Sequence, residues 1–214
     1  MSASQRDGRL LLLGAGGHGR VVADMANAAG WPDVVFLDDR WPRLQQNLVW
    51  PVIGPFESLA ESQYRQHAAL VTIGDNSTRL GLLRRLQNLE ARIPVLAHPS
   101  AVVSRYATLG AGTVVMPNAV VNAGAVLGDG VIVNTGATVD HDCRLADGVH
   151  VSPGAHLAGG VEVGEASWIG IGAVVRENVR IGAGVIVGAG AAVVSSIPDQ
   201  QIATGVPARG RTRN

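Results

Sequence analysis

The chain has 214 residues, and its 17 basic and 17 acidic side chains cancel, which argues against a nucleic-acid or membrane-surface partner and for a small molecule. Every basic residue is arginine, which excludes lysine nucleophiles and Schiff bases, and the single cysteine, Cys143, excludes an internal disulfide. Aromatics are 4% against an apolar fraction of 47%, so any core must be filled by small branched side chains.

The first element is a short apolar strand over residues 10–13, which runs into GAGGHG at 14–19 and then into the helical stretch VVADMANAAG. Gly14, Gly16 and Gly19 satisfy the G-x-G-x-x-G spacing, and the acidic pair Asp38 and Asp39 follows about twenty residues on. Such a loop rests phosphate on backbone N–H groups at a helix start. Gly14, Gly16, Gly17 and Gly19 are therefore candidate phosphate-side residues, and Asp38 and Asp39 candidate acceptors for a base. The plain alternative is a glycine loop that only joins strand to helix. Apolar runs over 34–37 and 68–73 alternate with helical patterns, the one over 77–91 placing Leu80, Leu83 and Leu86 on one face. A strand around 93–96 is expected to close a small parallel α/β domain, a half-Rossmann unit over residues 1–97. That leaves room for one mononucleotide-sized half, which favours a nucleotide sugar over a dinucleotide.

From residue 98 the period changes. Counting in sixes from Val103 to Val193 gives sixteen positions, all aliphatic, and a second small or apolar set falls four residues after each, Ala107, Thr113, Ala119 and Cys143 among them. One large and one small inward residue per hexad fits a short strand plus a corner, and three such faces close a triangular coil. The expectation is a parallel β-helix of hexapeptide repeats over 98–198, with a tail over 199–214 after Pro198 ends the repeat. Cys143 is then core filler.

The segment VNTGATVDHDC sets Asp140, His141 and Asp142 on outward and corner positions between inward Val139 and Cys143. An imidazole there can act as a general base, with Asp142, or Asp140 in its place, orienting the ring. With three hexads per coil, Gly159 stacks directly beside His141, its backbone N–H available to an oxyanion. His150 and His156 are six apart, on successive faces, which argues against a zinc site of three histidines.

GAGGHG, the FLDD of 36–39, the hexads and the closing GVPAR of 205–209 together resemble the hexapeptide-repeat acyltransferases. More narrowly, the chain is similar to the nucleotide-linked 4-amino-sugar N-acetyltransferases of bacterial glycan synthesis, from Leu10 through Arg209. The resemblance implies a left-handed coil, where the general crossover rule gives the right-handed sense. It also implies a homotrimer with sites at subunit interfaces, acetyl-CoA as cosubstrate, and no metal. The acceptor it implies is the 4-amino group of a nucleotide-linked 4-amino-4,6-dideoxy sugar for O-antigen or lipopolysaccharide synthesis, GDP-perosamine being favoured over a UDP-linked sugar. By the same resemblance Asn134 lies near the sugar, His150 near acetyl-CoA, and His18 toward the phosphates or sugar. Arg209 either reaches a CoA phosphate or packs the end of the prism. Relatives of the bacillosamine type carry glutamate where Asp142 stands. Two alternatives stay open: O-acetylation of a sialic acid, and a zinc enzyme like the gamma-class carbonic anhydrases on the same β-helix. A cytoplasmic location is expected, because MSASQRDGRLLLLGAG has too short an apolar run for a secretion signal and no run approaches the roughly 18 apolar residues of a membrane span.

Overall fold

The computed structural model describes residues 8–61, 64 and 66–212. Its first half is a five-stranded sheet of β1 (Arg9–Leu13), β2 (Asp33–Leu37), β3 (Gln46–Asn47), β4 (Trp50–Gly54) and β5 (Ala68–Val71), in the order β3-β4-β2-β1-β5. All pairs are parallel except β3 with β4. β1, flanked by β2 and β5, is covered on both faces, which explains its unbroken run of leucines. Leu10 and Leu12 pack toward α1 (Gly17–Ala28), and Leu11 and Leu13 toward α2 (Asn76–Asn88). Asp75 caps α2 by accepting the Thr78 N–H at 2.8 Å. No helix among the described residues is long and apolar enough to cross a membrane.

The strand expected around 93–96 does not close this sheet. Only Arg92 bridges to Ala68, while Leu96–Ala97 pairs in parallel with Val114–Val115 and opens the second half. The reason lies in the hexad register: Ala97 is six residues before Val103, so it packs inward with the repeats.

That second half is a left-handed parallel β-helix. Its first face starts at Leu96–Ala97, its second at Val102–Val103 and its third at Thr108–Leu109, and each strand pairs with the one eighteen residues on. The hexad aliphatics fill the core, with only Val103 and Leu109 at the open end part-exposed. Thr113 and Ser167 are buried among them because each hydroxyl donates to a carbonyl, of Gly128 and Gly182 respectively. The tail does not leave the prism. Gln201–Thr204 adds in parallel to Ile186–Val187 on the first face and turns back as Arg209–Thr212, with Ala203 in the core.

The α/β half packs on the first face, where Leu96, Val114, Met116 and Ile132 join the apolar side of α1. At the corner between the third and first faces, Leu80 and Leu83 of α2 press so closely on Gly148 and Gly130 that a Cβ at either glycine would collide. Arg79, 1% exposed, ties the same seam. Its guanidinium donates to the carbonyls of Gly130, Gly148, Ile73 and Gly74 and to Asn76 Oδ1, at 2.7–3.1 Å.

Candidate active site

His141 stands on the corner between the second and third faces, after strand Thr138–Val139 and before Arg144–Leu145. Its Nδ1 lies 2.9 Å from Oδ2 of Asp142. A carboxylate only accepts, so Nδ1 carries the proton and Nε2 is left free to receive one. The hydrogen bond to Asp142 raises the imidazole pKa above the usual histidine value, with the charges of Asp140 and Asp142 adding to it against desolvation. Asp140 is not the partner of the ring. Its Oδ1 accepts the His141 backbone N–H at 2.8 Å and Nδ2 of Asn122 at 2.9 Å.

Gly159 lies one rung above, and the imidazole rests on it. A Cβ built on Gly159 would be 2.5 Å from both Cε1 and Nε2 of His141, so only glycine admits the ring. The rung is fixed by Gly160 N–H donating to the His141 carbonyl at 2.9 Å. Where Asp140 caps the N–H of His141, the matching residue before Gly159 is Ala158, which has no acceptor to offer.

The glycine loop borders a cavity of about 320 Å³ lined by Gly14, Gly16, Gly17, His18, Asp38 and Arg40, among others. Gly14 takes a φ of +112° against Thr72 and Ile73, and Gly19 sits against the Gly14 carbonyl and Phe36, so both are there for close packing. Gly16 and Gly17 face open space, and Gly16 caps α1 with no side chain, leaving the first N–H groups of the helix for a ligand. Asp38 is turned into the protein. Its two oxygens accept Ala15 N–H, Arg40 N–H, and Arg40 Nε and Nη2, at 2.8–3.0 Å. The Arg40 guanidinium holds its carboxyl down at about 2. All four acceptor positions are thereby filled from within the chain, so the bond to a base expected of Asp38 has no lone pair left. Asp39 accepts the Phe56 N–H at 2.9 Å and stands outside the cavity lining.

His150 is buried, and His18 is half-buried with its Nε2 turned inward. Burial, reinforced by Arg79, pushes His18 down to about 4 and His150 down to about 3, so both are neutral. His150 stacks on Trp168, with centroids 5.4 Å apart and planes at 8°, and its Nε2 accepts from Asn134 Nδ2 at 3.1 Å. His18 Nε2 and His150 Nδ1 are buried with no hydrogen-bond partner among the described residues. Arg209 is exposed at the end of the first face, opposite Thr204. His156 lies on the second face against Thr138 Oγ1 at 2.9 Å, and no three His, Cys, Asp or Glu among the described residues gather as a metal would need.

Three groups are therefore assembled: His141 with Asp142 and Gly159, the loop with Asp38 and Arg40, and Asn134 with His150 and Trp168. A single chain does not bring the first to the second. The corner of His141 is the edge opposite the first face, and the first face carries the α/β half. Sequence reading missed Arg79, Arg40, Asn122 and Trp168. Two of these had a signal, since Trp168 is eighteen residues after His150 and Asn122 eighteen before Asp140.

The PglD N-terminal domain matches residues 9–86, and the bacterial transferase hexapeptide (six repeats) matches residues 160–194. The acetyltransferase domain of PglB from Neisseria gonorrhoeae FA1090, solved in complex with acetyl coenzyme A, is 48% identical. It superposes with a TM-score of 0.92 over 95% of this chain and 98% of that one. The chain belongs to the hexapeptide-repeat sugar N-acetyltransferases. Within these acetyltransferases, perosamine N-acetyltransferase from Caulobacter crescentus, solved as its H141N mutant with CoA and GDP-perosamine, is 40% identical. Its TM-score is 0.90 over 97% of this chain and 98% of that one. UDP-N-acetylbacillosamine N-acetyltransferase of Bacillus subtilis (strain 168) is 40% identical over 108 residues, 49% of this chain, and the match spans half the length of that curated relative.

Proposed function

We propose that the protein transfers the acetyl group of acetyl-CoA to the amino group of a nucleotide-linked amino sugar. The observation that carries this reading is the stack of His141 on Gly159, with Asp142 behind the ring and Nε2 free. The sugar nitrogen attacks the thioester carbonyl and gives its proton to His141 Nε2. Asp142 stabilises the imidazolium, and the Gly159 N–H faces the oxyanion. When the tetrahedral intermediate collapses, the C–S bond breaks and the imidazolium returns the proton to the CoA sulfur.

The glycine loop and the uncapped start of α1 take the pyrophosphate, with His18 beside them, and Asp38 braces the loop through Arg40. Asp39, with its exposed carboxylate, remains the candidate for the base. Asn134 and His150 lie on the side of the sugar and of acetyl-CoA. Arg209 is a candidate for a CoA phosphate: the first face runs His150, Trp168, Ile186, Ile202 and then the strand of Arg209, so it stands four rungs further on, roughly 19 Å at about 4.8 Å per strand.

Because His141 and the loop occupy opposite sides of one prism, each site is built from two copies, and a homotrimer closes three such sites. A 4-amino-4,6-dideoxy sugar is the acceptor class. GDP-perosamine is the first candidate, supported by the Caulobacter relative matched over its whole length, and a UDP-linked sugar the second, supported by the Bacillus relative. Such products feed bacterial surface glycans, including O-antigen, and both substrates are metabolites of the cytoplasm.

The test is acetyl-CoA consumption against a panel of GDP- and UDP-linked 4-amino sugars, with a sialic acid as hydroxyl acceptor. His141→Ala should lower turnover by about 10²-fold or more. Activity on the hydroxyl acceptor alone, or full turnover by the variant, defeats the proposal.

A further inference from the structure

The coil before His141 supplies two residues that the chemistry above leaves unused. Gly124 stands eighteen residues before Asp142, and a Cβ on Gly124 would lie 2.5 Å from Oδ1 of Asp142. The carboxylate that holds the imidazole thus fills the space a side chain at position 124 would take. Asp142 reaches there because its own backbone is left-handed, at φ +59°, the conformation that this corner of the repeat takes every six residues from Gly112 to Gly190. The arrangement is a rule of these corners. Asn178, at φ +57°, folds its Oδ1 to 2.5 Å from the Cβ position of Gly160, again eighteen residues earlier. Asn122 stands eighteen residues before Asp140 and donates to the same Oδ1 that accepts the His141 N–H.

Resting on His141 as the base, we propose that Gly124 and Asn122 are positioning residues of the catalytic corner. Gly124 keeps open the volume from which Asp142 reaches Nδ1, and Asn122 fixes the Asp140 that caps the His141 backbone. The displaced group in a Gly124 variant would be the end of a mobile side chain, so the chain can fold while losing the contact. Among the described residues of one chain, the charged groups acting on the imidazole are Asp140 and Asp142 of its own corner, and Asn122, Gly124, Gly159 and Gly160 face it from the adjoining coils.

The experiment compares Gly124→Ala, Asp142→Asn, their double variant and Asn122→Ala in the assembled full chain. It reads kcat, both KM values and the His141 imidazole titration by NMR. Gly190→Ala is the control, because Gly190 is equally left-handed at φ +67° with nothing within 4 Å of its Cβ position. Gly124→Ala should lower kcat about tenfold, as for loss of the partner of a base. It should also move the His141 midpoint down as Asp142→Asn does, and add nothing in the double variant. Asn122→Ala, which leaves the backbone geometry alone, should lower kcat with both KM values unchanged. An unmoved midpoint in Gly124→Ala, multiplicative losses in the double variant, or a KM effect alone in Asn122→Ala overturns the proposal. A moved midpoint with wild-type turnover supports the positioning and removes His141 from the chemistry.

Discussion

The His141 corner makes separate demands on single atoms. Gly159 has an ordinary backbone, so Gly159→Ala should fold normally yet push the imidazole off its seat. We expect a loss of turnover of about 10²-fold, similar to removing the base, with an unchanged melting temperature; a fully active variant would mean that the ring works from another position. The pH profile has a definite sign. The base must be neutral and Asp142 raises its pKa, so the acid limb of kcat/KM should lie above the usual histidine value near 6.5 and move down in Asp142→Asn. Much of this corner was legible in the sequence, because hexad counting alone stacks Gly159 on His141. The choice of Asp142 over Asp140 was not, since it depends on the left-handed φ of residue 142. The role of Asp38 was misread for a related reason: the arginine that saturates it, Arg40, is an unremarkable loop residue until the chain folds back.

Between elements, the buried cation Arg79 ties the seam of α2 with the prism, while Arg84 pairs with Glu165 at its exposed edge. Replacing Arg79 by methionine keeps most of the volume but strands four backbone carbonyls. Denaturant unfolding should show a loss of about 3 kcal/mol or more, and a loss under about 1 kcal/mol would show that water replaces the guanidinium freely. His18 and His150 make the seam sensitive to acid. Their folded pKa values lie below that of an unfolded histidine, so the unfolded chain binds protons first. Stability is complete above about pH 6.5 and falls as the pH drops toward 4; a flat thermal midpoint across that range would contradict it. The helix pattern of Leu80, Leu83 and Leu86 was visible in advance. Arg79 was not, because an arginine beside that stripe looks solvated until five acceptors surround it. The strand near 93–96 was placed in the wrong half because local apolarity does not say which sheet a strand joins.

For the whole molecule, the division of the site between opposite sides of the prism predicts complementation. Gly16→Asp places a carboxylate where the pyrophosphate belongs, and His141→Ala removes the base. Co-assembled in equal amounts, the two inactive chains should recover about a quarter of wild-type activity, because a quarter of the interfaces pair a sound loop with a sound corner. No recovery would place both halves in one chain. The stacking of coils has one more outcome. Burial repeats every six residues, whereas the contacts that do chemistry repeat every eighteen. Six residues inserted between Gly160 and Trp168 would preserve the oil-filled interior yet turn everything downstream by a third of a revolution, parting Trp168 from His150. Such a chain would be stable and silent, so a length change keeps residues on their own faces of this scaffold only when it comes in full threads of its screw.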